Sequence, residues 1–155
     1  MSFSGTSIVI TRKNEEKCIK DVLPGDVLKC ASGYAKVKYV AEVNIETKIH
    51  HLTNTTRIVP NCLVRVGGSW IKASELPCIG YLFVDKVYNF VLSKDYILLV
   101  DGFECLTWGS DFIDSAYDPF FGSSEKIEKE LSKLSRFGVC KITQVIKDDG
   151  GIRFE

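Results

Sequence analysis

Histidine is nearly missing from this sequence: His50 and His51 are the whole supply in 155 residues. The six cysteines, Cys18, Cys30, Cys62, Cys78, Cys105 and Cys140, include no C-x-x-C pair. A zinc site draws on closely spaced ligand pairs, so neither a metal nor any other cofactor is expected. Excess charge is also lacking, because 20 basic residues balance 20 acidic ones. That excludes a broad electrostatic footprint for nucleic acid or for an anionic membrane surface. No apolar run nears the roughly 20 residues of a membrane span. The N-terminal stretch MSFSGTSIVITRKNEEK has neither a basic start nor an A-x-A cleavage site, so no signal peptide is expected. Scattered cysteines in apolar surroundings read as buried reduced thiols, which points to the cytoplasm.

What is present suits one globular domain with a real core. Hydrophobic residues make up 45% and charged residues 26%, which is wrong for a disordered chain. Strand signals run to residue 110. Thr6 to Ile10 is a β-branched run, and Pro24-Gly25 marks a tight turn. From Gly33 to Leu52 the apolar residues alternate, which predicts a long strand or hairpin arm. In RIVPNCLVRVGGSW (Arg57 to Trp70), Pro60 predicts a strand start or bulge and Gly67-Gly68 a turn, with Val64, Val66 and Trp70 facing inward. Ser93 to Asp95 and Asp101-Gly102 are further turns.

Composition shifts after Ser110. Ile127, Leu131 and Leu134 recur at helical spacing, Ser124 suits a cap and Gly138 a stop, which predicts a helix over about 124–137. A final hairpin is expected around Asp149-Gly150. The predicted architecture is all-β with one C-terminal helix and hairpin, in a single domain over 1–155. A β-body occupies 1–110 and an extension 111–155.

The segments in order resemble the Hint (hedgehog/intein) family, most closely its Vint-type members. SFSGTSIVI, from Ser2, is similar to a first block that opens with a Cys or Ser nucleophile. IKDVLPGDVLKC (Ile19 to Cys30) is similar to "I-x-D-I-x-x-G-D-x-V". IVPNCLVRVGGSWIKASEL (Ile58 to Leu76) is similar to "I-T-P-x-H-P-V-x-x-x-G-x-W". VYNFVLSKDYILLVDGFECLTWGSDF (Val87 to Phe112) is similar to a block ending "N-G-I-E-C-x-T-L-G-H-x-F", and PFFGSSEKIEKEL (Pro119 to Leu131) to the Vint tail. The resemblance implies a horseshoe of mostly antiparallel strands with an approximate internal two-fold. It also implies self-processing: the first side chain attacks the preceding carbonyl and turns an amide into an ester or thioester. The partner it implies is the chain's own flanking upstream polypeptide. A monomer is expected.

The sequence departs from the family pattern at the chemistry. Ser2 holds the nucleophile position, and a hydroxyl is weakly ionised and a poorer nucleophile than a thiol. Val59 stands for the usual Thr, Cys62 for the acid/base His, Asn89 for Asp, Tyr96 for a later His, and Ser110 for the His of Gly-His. Cys105-Leu106-Thr107 lacks the terminal His-Asn of splicing inteins, which argues against full splicing. The candidate catalytic residues are therefore Ser2, Cys62 and Ser110. Two of them have a plainer reading: Cys62 as a small core residue in the space of an imidazole, and Ser2 as an ordinary N-terminal residue. Arg57 or Arg65 is a candidate to lower the Cys62 thiol pKa. His50 or His51 is a minor candidate for the missing imidazole. Two functions stay open: an intein-like autoprocessing domain impaired at its acid/base positions, and a non-catalytic scaffold or interaction module on the same fold.

Overall fold

A computed structural model describes residues 2–94, 97–111 and 119–155. Its strands are β1 (Phe3–Ser4), β2 (Ile8–Ile10), β3 (Glu16–Cys18), β4 (Val27–Cys30), β5 (Gly33–Val43) and β6 (Thr47–His51). They continue with β7 (Arg57–Ile58), β8 (Leu63–Val66), β9 (Ser69–Lys72), β10 (Gly80–Val84), β11 (Val87–Leu92), β12 (Ile97–Val100) and β13 (Phe103–Leu106). The C-terminal part holds α1 (Pro119–Gly122), α2 (Ser124–Leu134), β14 (Ser135–Arg136), β15 (Val139–Ile142), β16 (Val145–Asp148) and β17 (Gly151–Phe154). The expectation of a mostly β, mostly antiparallel fold holds. One large sheet runs in the order β10-β6-β7-β1-β11-β5-β4-β12-β13-β8-β9.

The alternating stretch from Gly33 is cut at Asn44 to Glu46. β5 takes the first part and pairs with both β4 and β11, while β6 leaves to pair with β7 and β10. The extension is tied to the β-body because β15 runs parallel to β5, Val139 to Ile142 against Val40 to Val43. Parallel pairing requires a long crossover, and α2 lies in the chain that makes it.

Two apolar clusters occupy the two faces of this sheet. One holds Phe3, Ile58, Cys62, Val64, Phe90 and Cys105. The other holds Val43, Val87, Trp108, Ile127, Leu131 and Phe154, and covers the extension. Burying a large apolar side chain in such a cluster contributes about 1.5–3 kcal/mol. Phe3 is wholly buried, so the short β1 is held by its side chain as well as its ladder.

Several local expectations are refined. The Gly67-Gly68 turn joins β8 to β9, but Val66 is 45% exposed. It is the last pair before the turn, opposite Ser69, where the hairpin projects past the core. Val64 is buried as expected, and Trp70 is half-buried against Leu63 and Leu106. Pro60 lies in a β-turn between β7 and β8, closed by the Cys62 N–H donating to Val59 O at 3.0 Å.

The predicted helix 124–137 ends three residues earlier, at Leu134. Ser135 is extended and starts the strand that pairs with β15. The cap is Ser123, whose Oγ accepts from Lys126 N–H at 3.2 Å, rather than Ser124. Ser124 instead donates its N–H to Asp111 at 2.9 Å. Gly138 serves the β14–β15 turn at φ +86°, and a Cβ there would lie 2.8 Å from Pro24. The short α1 had no signal in the sequence pattern. The hairpin around Asp149-Gly150 forms as expected between β16 and β17.

Candidate active site

Ser2 is almost fully buried at the head of β1. β1 lies between β7 and β11, with Phe3 opposite Ile58 on one side and Tyr88 on the other. The carbonyl of Ser2 accepts the Val59 N–H at 3.0 Å. Further on, Ser7 Oγ donates to Arg57 O at 2.9 Å and accepts the Arg57 N–H at 3.0 Å. Arg57 then donates from its guanidinium to Thr6 Oγ1 at 2.8 Å and to His51 Nε2 at 3.4 Å. These bonds fix both ends of the first segment, so the backbone at Ser2 has little freedom to drift.

Beside Ser2 is a cleft of about 180 Å³. Val43, Ile45, Val59, Val87 and Trp108 line it, with Phe121 and Val145 from the C-terminal segment. Ser2, Thr47 and Asn61 are the polar residues among the described lining, and none there is charged. Trp108 is held in place by Asn89, which is wholly buried. Asn89 Oδ1 accepts the Trp108 N–H at 3.1 Å and the Phe90 N–H at 2.7 Å. An amide oxygen does this work where the family pattern has a carboxylate. Trp108 also stacks on Phe154, with ring centroids 5.5 Å apart.

Cys62 lies in the other cluster, with no exposed surface, beside Phe3. Its thiol neighbours that of Cys105 in the same cluster, while Cys62 Sγ donates to Leu63 O at 3.9 Å and Cys105 Sγ to Phe103 O at 3.6 Å. The register explains this: Cys105 pairs with Val64, so Cys62 is its diagonal neighbour on one face. Burial first, and then Cys62, push the Cys105 thiol well above the ordinary range, so it stays protonated at neutral pH. Burial also pushes Cys140 up, to about 11. All six cysteines are free, and four of them are buried. The two arginines considered as activators of Cys62 are engaged elsewhere. Arg65 pairs with Glu104 at 2.6 Å, and Arg57 holds Thr6 and His51.

Ser110 is also buried, and its Oγ has no hydrogen-bond partner among the described residues. It follows Trp108 by two positions, with Gly109 donating its N–H to Phe121 O at 2.8 Å. Tyr96 lies outside the described residues. His50 stands opposite Ile58, with β7 between it and β1. It packs edge-on against Tyr81 at 4.8 Å, and burial, then Lys48, lowers its pKa. Neither histidine is therefore placed in the seat of Cys62. Among the described residues, no group of three or more His, Cys, Asp and Glu converges as a metal site, and no helix is long and apolar enough to cross a membrane.

Sequence reasoning singled out Ser2, Cys62 and Ser110 but missed the cleft and the Cys62–Cys105 contact. Neither was legible in the residue order: the contact depends on β8 pairing with β13, and the cleft's walls come from segments far apart in the chain.

The fold is similar to that of the gp41-1 intein. Its crystal structure superposes with a TM-score of 0.53 at 13% identity, over 68% of this chain and 98% of the intein. A triply substituted form of the same intein gives 0.51 at 12% identity, with the same coverage. No curated protein matches the chain. The profile of the Vint family, described as a Hint domain, matches residues 1–152. With that match over nearly its whole length, and an intein-like β-fold around Ser2, the chain belongs to the Vint family of Hint domains.

Proposed function

We propose that the chain is an autoprocessing domain acting on the peptide bond before Ser2, with its proton-transfer machinery weakened. The observation that carries this reading is the placement of Ser2. It is buried, tied through its carbonyl to the segment that bears Cys62, and set beside an open cleft. In the reaction, Ser2 Oγ attacks the preceding carbonyl carbon. The hydroxyl proton passes to the leaving nitrogen, the C–N bond breaks, and an ester forms with a free amine on Ser2. Water or an amine then releases the upstream segment.

The departing nitrogen needs a proton donor. An imidazole in the seat of Cys62 supplies that readily near neutral pH, whereas the neighbouring Cys105 thiol is pushed well above its ordinary range by burial and holds its proton. Loss of one well-placed general acid reduces the rate by about 10²–10⁴-fold. The second reading, a non-catalytic module, is favoured by the same Cys62–Cys105 contact, which fills the acid's seat with ordinary core packing.

A reporter fused directly upstream of residue 2, with Ser or Cys there, separates the two. The junction is followed by intact mass with and without hydroxylamine or thiol. Slow, nucleophile-accelerated cleavage supports processing, faster with Cys than with Ser. A junction with Cys at position 2 that stays whole for days sinks it.

A further inference from the structure

We propose that the cleft beside Ser2 is the seat of the acyl group while it is bonded to Ser2 Oγ, and that it selects an apolar residue as acyl donor. This rests on Ser2 as the nucleophile. The argument begins with strand alternation. Phe3 points into the cluster that holds Cys62. Ser4 pairs with Val87, which belongs to the opposite cluster and lines the cleft. Ser2 lies two residues before Ser4, so its side chain shares that face.

Before the shift, the upstream residue is joined to Ser2 through the backbone nitrogen. The shift moves its carbonyl carbon from the Ser2 nitrogen to the Ser2 oxygen. One C–N bond breaks, one C–O bond forms, and the hydroxyl proton ends on the nitrogen. No other reactant is consumed. The acyl residue is then attached through a side chain that faces the cleft.

Size and chemistry match one apolar side chain. An apolar cavity of about 150 Å³ holds a benzene ring, and this cleft measures about 180 Å³. That suits Leu, Met or Phe. A carboxylate or ammonium there sheds water against Val43, Val87 and Trp108 without a counter-charge among the described lining. Contacts made only after the shift favour the ester over the amide, which raises the fraction open to attack. Phe121 and Val145 give the C-terminal segment a part in the reaction, as a wall of the acyl seat.

The test uses the full chain with Ser2→Cys and upstream reporters ending in Leu, Phe, Gly, Asp or Lys. Hydroxylamine-trapped cleavage is expected to be about tenfold or more faster for Leu and Phe than for Asp and Lys. Val145→Lys places a cation in the wall and should reverse the order of Leu and Asp. Thr47→Lys, also in the lining, serves if the first variant does not fold. Equal rates for all five residues, or an order unchanged by both lysines, overturn the acyl seat.

If no reporter is cleaved, the processing reading fails separately, and the seat is tested from the other side. The S2C chain, freed of residue 1, is mixed with short peptide thioesters ending in Leu or Asp. Acylation rates of Cys at position 2 are normalised to free cysteine. A Leu-to-Asp ratio of about ten supports the seat, and a ratio near one overturns it.

Discussion

The carbonyl of Ser2 and the backbone N–H of Val59 are joined at 3.0 Å, and the carbonyl of Val59 in turn accepts the Cys62 N–H at 3.0 Å. The two candidate site residues Ser2 and Cys62 are thus linked through the backbone of one residue, Val59. Neither side chain at Val59 nor at Cys62 is required for that linkage. The frame of the candidate site is backbone, so it does not depend on which side chains stand at these positions.

Restoring an imidazole at position 62 is therefore a packing problem before it is a catalytic one. Cys62 has no exposed surface and rests on Cys105. Cys62→His alone should destabilise the fold by about 1–3 kcal/mol through overpacking. Adding Cys105→Ala makes room and should recover part of that loss, although Cys105→Ala alone also destabilises. Urea midpoints of the two single variants and the double variant measure the coupling. Strictly additive losses would show that the two thiols do not share space. With Val59→Thr added, cleavage at the junction should rise if the block assignment is right.

His50 predicts a loss of stability in mild acid. Burial, and then Lys48, lower its pKa in the fold. Between that depressed value and about 6.5, the unfolded chain binds more protons than the folded one. Stability is therefore complete above about pH 6.5 and falls as pH drops toward the folded value. The midpoint of thermal unfolding should fall less between pH 7.5 and 5.5 in His50→Gln than in the parent. Identical pH profiles would remove His50 as the cause.

Asp101 ties the loop before β7 to the turn between β12 and β13. Thr55 and Thr56 each donate a hydroxyl to its Oδ2 at 2.6 Å, and Thr53 does so at 3.0 Å. Burial alone raises its pKa, but the three hydroxyls outweigh it and the net shift is downward. A depressed carboxylate stabilises the fold above the unfolded value of about 3.9, and that contribution is lost as pH falls through the folded value. Asp101→Asn tolerates the positive φ of 49° and should cost about 1 kcal/mol at pH 7, discounted for solvent at this exposed turn. The cost should vanish near pH 2. A loss that persists there, measured by denaturant titration, would assign the effect to shape rather than charge.

The outer strand β10 is an aggregation liability. It ends the sheet order, and Tyr81 and Phe83 are 57% and 73% exposed, next to an exposed Ile79. An unpaired, uncharged, apolar edge is a template for another strand. Phe83→Lys should reduce light scattering during heating while changing stability by no more than about 0.5 kcal/mol. Unchanged scattering would place the aggregation nucleus elsewhere.

Much of this was legible in residue order. The turn at Asp101-Gly102 and the Gly67-Gly68 hairpin were readable because positive φ demands particular residues locally, and the last hairpin from its Asp149-Gly150 turn residues, although its positive φ falls on Gly151. Val66 was misjudged because alternation reports a face and not how far a hairpin extends beyond the core. The helix end was misjudged because Ser135 takes its partner from β15, a choice made by strand pairing and not by helix propensity.

The sequence by itself determined the β-rich fold class, through local periodicity. Its motifs also resembled the family that the profile match shows, and that resemblance made Ser2, Cys62 and Ser110 the candidate site residues. Only the tertiary structure decided what each one meets. It set Cys62 against Cys105 by a diagonal register, and left Ser110 Oγ buried without a partner among the described residues. It also opened a cleft at Ser2 whose walls come from β5, β11, α1 and β16. Contacts between segments so far apart depend on sheet order and crossover, and no short stretch of sequence encodes either one.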